Sequence, residues 1–145
     1  MVDITSKPQA HRMALAKGKI RLRKETVERI KAGEIKKGDV FTVARVSAIQ
    51  AVKETPKNIL LCHQIQVTSV NVDFEVGEDF IEVGVEVKAI SQTGVEMEAL
   101  NGVVAALLNI WDMVKYLEKD ESGNYPFTKI EDVRIERKVK SVVDR

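Results

Sequence analysis

An α+β fold, an antiparallel sheet with helices packed on one face, is what this sequence predicts, and three stretches carry that prediction. "FIEVGVEVKAI" places Ile81, Val83, Val85, Val87 and Ala89 at every second position without a break, the signature of a strand with one buried face. "VTSVNVDFEV" does the same with Val70, Val72, Phe74 and Val76, and the turn "GED" joins the two runs as an antiparallel hairpin. "TGVEMEALNGVVAALLNIWDMVK" then turns almost wholly apolar over roughly Val95–Leu117, too long for a strand and suited to a helix.

The other elements follow in order. Residues 1–12 lack periodicity and read as an N-terminal arm, after which "RMALAKGKIRL" is a strand ending in the alternation Ile20, Leu22. "KETVERIKAG" is a short helix, with Val27 and Ile30 three apart and Gly33 suited to the C-terminal cap. In "KKGDVFTVARVSAIQAVKETP", Asp39 suits the N-cap and Val40, Val43, Ala44, Ala48, Ala51 and Val52 form a stripe at helical spacing. Pro56 ends that helix, because proline lacks an amide donor and disfavours helix in its predecessor. "NILLCHQIQ" is a loop leading into the hairpin, "KDESGNYPFT" is a polar loop, and "KIEDVRIERKV" is a last strand. Strand, helix pair, two strands, long helix, strand is the ferredoxin-like order.

With 145 residues and no repeat or linker, the chain is expected to form a single domain, 1–145. The longest apolar run, Val103–Leu108, is far too short to span a bilayer, and the start "MVDITSKPQA" is too polar for a signal peptide. A single cysteine forms no internal disulfide, so the reducing cytoplasm is the expected compartment. A net charge of +1 offers no global attraction for nucleic acid. The basic clusters "KGKIRLRK" and "RIERKVK" are interrupted by apolar residues at strand spacing and read as solvated strand faces. An RNA-binding sheet would need exposed aromatics, and the hairpin supplies only Phe74 and Phe80.

The long helix carries charge at both ends. Glu96 and Glu98 stand in its first turn, where acids favour the positive end of the helix dipole. Asp112 and Lys115, three apart, share a face and read equally well as a surface pair. Glu98 and Asp112 are nearly in phase, but fourteen residues at 1.5 Å each separate them by about 21 Å, so one helix does not bring them together. Each then meets its own partners, lines a long ligand, or faces another chain. Cys62 and His63 are too few for a zinc site, and as neighbours in an extended segment they point apart, which disfavours a nucleophile pair. A core cysteine beside an edge histidine is the plain reading. His11 falls in the arm without a ligand-spaced partner. Lys53 lies on the Val46 and Ile49 side of its helix, bordering an apolar surface, although a lysine at a helix C-terminus needs no further reason.

Taken in order, "MVDIT-S-K", "KGDVFTVARVSAIQAVKETP", "LLCHQI", "TGVEMEAL" and "WDMVK" resemble the accessory protein C family of molybdenum cofactor biosynthesis, the cyclic pyranopterin monophosphate synthases. The likeness runs from Met1 to about Lys119 and more loosely through the last strand. It implies a lyase that converts 3′,8-cyclo-7,8-dihydro-GTP into cyclic pyranopterin monophosphate with release of pyrophosphate. It also implies a ferredoxin-like homohexamer, a trimer of dimers, with sites at a subunit interface. Carried over residue by residue, the resemblance places catalytic groups at Asp112, Lys53 and Lys115. It places substrate contacts at Leu61, Cys62, His63, Glu96, Met97 and Glu98.

The implied chemistry suits these residue types. Opening and reclosing a purine ring moves protons repeatedly, which calls for acids, a histidine and lysines in one place. Two lysines close together in a partly buried pocket would depress each other's pKa, so Lys53 and Lys115 are the expected acid/base pair, with Asp112 orienting Lys115. No resident cofactor or metal-ligand set is expected, and Mg²⁺ would accompany the triphosphate. The chain departs from the family in "LCHQI" for "LCHPL" and in the added "ESGNYP". It also ends in "RIERKVKSVVDR" where the family has a Gly-rich basic loop, leaving Lys138 or Lys140 for the phosphates. The competing expectation is a non-catalytic, oligomeric nucleotide-binding or regulatory module of the same fold.

Overall fold

The alternating apolar runs pair into one sheet and the helical stripes close over one side of it. The computed structural model describes residues 1–143. Its elements are β1 (Ala10–Arg21), α1 (Lys24–Lys31), α2 (Val40–Lys53), β2 (Val67–Val76), β3 (Phe80–Ser91), α3 (Glu96–Glu118) and β4 (Lys129–Val142). The four strands are antiparallel in the order β2-β3-β1-β4, the ferredoxin-like arrangement. β1 and β3 keep an unbroken register from Ala10↔Ser91 to Arg21↔Phe80, while β4 follows β1 through two bulges.

The core lies between the sheet and the layer of α2 and α3. Ile81, Val83, Val85, Val87 and Ala89 of β3 are all buried, and Ala14, Ala16 and Ile20 of β1 join them. Opposite stand Ala44, Ala48 and Val52 of α2 with Ala99, Val103, Ala106, Leu107, Ile110 and Val114 of α3. Full burial of each Val, Leu or Ile contributes about 1.5–3 kcal/mol. The small residues set how closely the layers approach. A Cβ added at Gly102 would lie 2.9 Å from Cγ2 of Val52 and 3.1 Å from Cγ1 of Val85, so α3 touches α2 and β3 at one point.

Local signals settle the helix ends. Asp39 accepts from Thr42 N at 2.9 Å, as an N-cap should. Gly33, with φ of 71°, closes α1 in a Schellman turn in which Glu34 N donates to Arg29 O. Glu118, fully buried at the end of α3, accepts from Arg23 N at 3.1 Å and from the hydroxyls of Thr26 and Thr128, binding α3 to the N-terminus of α1. By length and composition α3 matches a membrane span, but half of its apolar window is buried within the fold.

Two expectations are corrected. β1 begins at Ala10, so the arm is shorter than residues 1–12, and His11 lies in the strand opposite Ile90 and Ser141. Arg12 hides this start in the sequence. It occupies a buried position in the alternation, where its guanidinium donates to the carbonyls of Ser91 (3.3 Å) and Gln92 (3.2 Å). Phe74 turns inward against Phe41, ring centroids 5.0 Å apart. Of the two hairpin aromatics, that leaves Phe80 towards the open face, under Lys19 and Arg21.

Candidate functional site

All six expected substrate contacts meet at the N-terminal end of α3. The apolar β3 and the helical run after it put the connection at residues 92–95, so Glu96, Met97 and Glu98 form the first turn of the helix. The loop after α2 brings Leu61, Cys62 and His63 to the same place, and the N-terminal arm adds Val2, Ile4 and Lys7. Together they line a cleft of about 320 Å³. That is the low end of the roughly 300–1,000 Å³ usual for ligand sites, small for a nucleoside triphosphate derivative.

The electrostatics of this cleft differ from group to group. Glu98 is 3% exposed, and burial pushes its carboxyl above the usual glutamate range, with the charge of Glu96 adding to the effect. Burial also raises the Cys62 thiol, helped by Glu98, which favours the neutral thiol over the thiolate. Burial pushes Glu96 up as well. Lys138 Nζ, 2.5 Å from its Oε1, outweighs this together with its own backbone amide and Arg12, and the carboxyl is held below its ordinary value. Lys138, one of two lysines expected to stand in for a basic loop, thus reaches the cleft wall from β4.

Asp112 and Lys115 meet at the other end of α3, Oδ1 to Nζ 3.1 Å. The structure adds a third member that helical spacing does not disclose. Lys37 Nζ lies 2.8 Å from Oδ2 of Asp112 and 3.2 Å from its carbonyl oxygen. Lys37, first of all, and then Lys115 hold the Asp112 carboxyl below the usual aspartate range. Lys37 stands in "KKGDV", one of the family-like blocks, but 75 positions from Asp112, and only the docking of α2 against α3 joins them. All three side chains are substantially exposed.

The expected proximity of Lys53 and Lys115 is not found within the chain. α2 runs antiparallel to α3, with Lys36 N donating to Tyr116 Oη at one end and Asn101 donating to Ala51 O at the other. Lys53 therefore sits about a helix length from Lys37 and Lys115, roughly 20 Å at 1.5 Å per residue. It lines a shallow hollow with Val46, Ile49, Gln50 and Glu54, the apolar border anticipated for it. One protomer thus presents a cleft, an exposed Lys37–Asp112–Lys115 trio and a separate lysine. Among the described residues no three His, Cys, Asp or Glu side chains gather as a metal set.

A sequence profile of the MoaC family matches residues 1–141. A relative from Thermococcus kodakarensis, named "probable cyclic pyranopterin monophosphate synthase", is 57% identical over 140 residues, 97% of this chain and 90% of the relative. A relative of the same name from Methanococcoides burtonii is 55% identical over 143 residues, 99% of this chain and 90% of its own length. One from Pyrococcus abyssi is 56% identical over 141 residues, 97% of this chain and 89% of its own.

Proposed function

The chain belongs to the MoaC family, and from that premise we infer that it is a lyase of molybdenum cofactor biosynthesis forming cyclic pyranopterin monophosphate. Its substrate is a small GTP-derived molecule, and we propose 3′,8-cyclo-7,8-dihydro-GTP with pyrophosphate as the leaving group. One observation carries the reading at the level of residues: six positions drawn from separate blocks of sequence converge on one cleft.

The chemistry divides between the two ends of α3. Glu98, with its raised proton affinity, is suited to give a proton to a ring nitrogen during purine opening. His63 meets the polar edge of the guanine-derived ring, and the apolar side chains of Leu61 and Met97 pack against its face. Forming the cyclic phosphate requires a ribose hydroxyl to attack the α-phosphorus, lose its proton and expel pyrophosphate. Lys37 and Lys115, fixed by Asp112, supply cations for the phosphates and groups to carry that proton. Any Mg²⁺ enters as the counter-ion of the triphosphate.

We place the complete site between two protomers of a hexamer, in the cytoplasm, with the cleft of one facing the trio of its partner. The roughly 21 Å along α3 supports this, since one helix keeps the two halves apart. So do the small cleft and the exposed Val43, Val46 and Leu108 on the outward faces of α2 and α3. Lys53, beside Val46, then reaches a site only through such a contact.

The test is pyrophosphate release from the cyclised GTP derivative by wild type, by His63→Ala and by Asp112→Asn, then by the two variants dissociated and re-formed together. Shared sites restore roughly a quarter of the wild-type rate, since half of the statistically mixed dimers carry one intact site of two. Mixtures as inactive as the separate variants would place both ends in separate processes. A wild-type protein that binds the nucleotide without releasing pyrophosphate is the regulatory module instead.

A further inference from the structure

The nine residues before β1 form no helix or strand, yet three sets of hydrogen bonds order them, one within the arm and two to the rest of the fold. Asp3 Oδ1 accepts from Thr5 N at 2.9 Å and from Thr5 Oγ1 at 2.6 Å, closing an Asx turn. Gln92, in the connection between β3 and α3, donates through Nε2 to the carbonyls of Thr5 (3.3 Å) and Lys7 (3.1 Å). The second anchor runs into the cleft, where His63 Nε2 lies 2.7 Å from the carbonyl oxygen of Val2.

This last contact has a definite chemical meaning. A carbonyl oxygen only accepts, so Nε2 carries the proton and Nδ1 is the nitrogen left for a ligand. An arm that merely packed on the surface would spend its apolar side chains. Here Val2 is 76% exposed, and it is the backbone carbonyl that is engaged, on a residue already placed in the site. Ile4, half-buried, and Lys7 complete that wall, so the arm brings an apolar surface and a cation to the cleft.

We propose that the N-terminal arm is a positioning strap for the site, anchored by Gln92, in which the Val2 carbonyl sets the tautomer and orientation of His63. Gln92 and Asp3 act through the arm and touch no substrate. The strap uses the functional reading above only for the identity of the ligand, and it is testable on the free protein.

The experiment uses the full chain with Gln92→Leu and with Gln92→Leu/Asp3→Ala. Neither changes a core residue, and Asp3→Asn, which keeps the acceptor, serves as the conservative control. Amide exchange at Thr5 and Lys7 reports the arm, ¹⁵N shifts of the imidazole report the tautomer of His63, and pyrophosphate release gives kcat and KM. Expected are faster exchange, an Nδ1–H tautomer absent from wild type, and a KM raised on the order of tenfold with kcat changed much less, with Asp3→Asn behaving as wild type. Protected amides in the double variant would overturn Gln92 as the anchor. A freely exchanging arm with His63 still wholly Nε2–H and KM unchanged would overturn the strap. Should wild type release no pyrophosphate, the functional reading falls, while exchange and tautomer still decide this one.

Discussion

The two ends of α3 are built to opposite rules. At the N-terminal end the carboxylate of Glu98 is buried, the thiol of Cys62 is kept neutral, and loop, helix and arm enclose a cleft. At the C-terminal end Asp112 lies in solvent between two lysines, and its charge is favoured rather than suppressed. Enclosure tunes proton affinity within one chain. An exposed ion trio acquires comparable leverage only when something excludes water around it, because solvent screens exposed pairs. The protomer therefore shows an enclosed cleft at one end of α3 and only charged surface at the other.

The largest effect expected from breaking this contrast is at the exposed end. Asp112→Asn and Lys37→Ala should each lower pyrophosphate release by about 10²–10⁴-fold, the range typical of a lost proton-transfer group, while the midpoint of thermal unfolding falls by only a few degrees, as for any exposed ion pair. Lys53→Ala should cost less than Lys37→Ala, and the reverse ranking in parallel kinetic assays would move the catalytic lysine to the far end of α2.

The buried end should show itself in pH dependence. Glu98 holds its proton more tightly in the folded chain, so its contribution to stability is present below its unfolded pKa and lost as pH rises through the raised folded value. Asp112 has the opposite sign: its contribution is present above the ordinary aspartate range and lost as pH falls through the lowered value. Urea unfolding of Glu98→Gln should therefore show a smaller loss of stability than wild type between acidic and neutral pH. Parallel profiles for the two proteins would mean that Glu98 is not strained by burial.

The smallest effect belongs to Cys62→Ser. A thiol held neutral is a contact, not a nucleophile, so kcat should stay within about threefold of wild type. A loss approaching that of Asp112→Asn in the same assay would make Cys62 covalent machinery.

Most of the fold is legible in the sequence because alternation and helical stripes are local. Ile81 to Ala89, the Asp39 cap and the Gly33 turn each declare themselves within a few residues. The start of β1 is not legible, because Arg12 fills a core position with a charge whose partners, Ser91 and Gln92, lie about eighty residues away. The six cleft residues are named by resemblance, and the fold brings them together. Lys37 and the arm lie in family-like blocks too, but the sequence does not show what they touch, since their partners, Asp112, His63 and Gln92, are joined to them only by packing.

By itself, then, the sequence determined the order and kind of the elements, because those follow from periodicity and side-chain type, while the candidate site residues were named by likeness to a family. Tertiary structure alone decided which charges meet. It paired Lys37 rather than Lys53 with Asp112 and Lys115, buried Glu98 while leaving Asp112 in water, and laid the arm against His63. The physical reason is that proton affinity and ion pairing depend on distance and solvent access, and neither quantity exists until the layers pack.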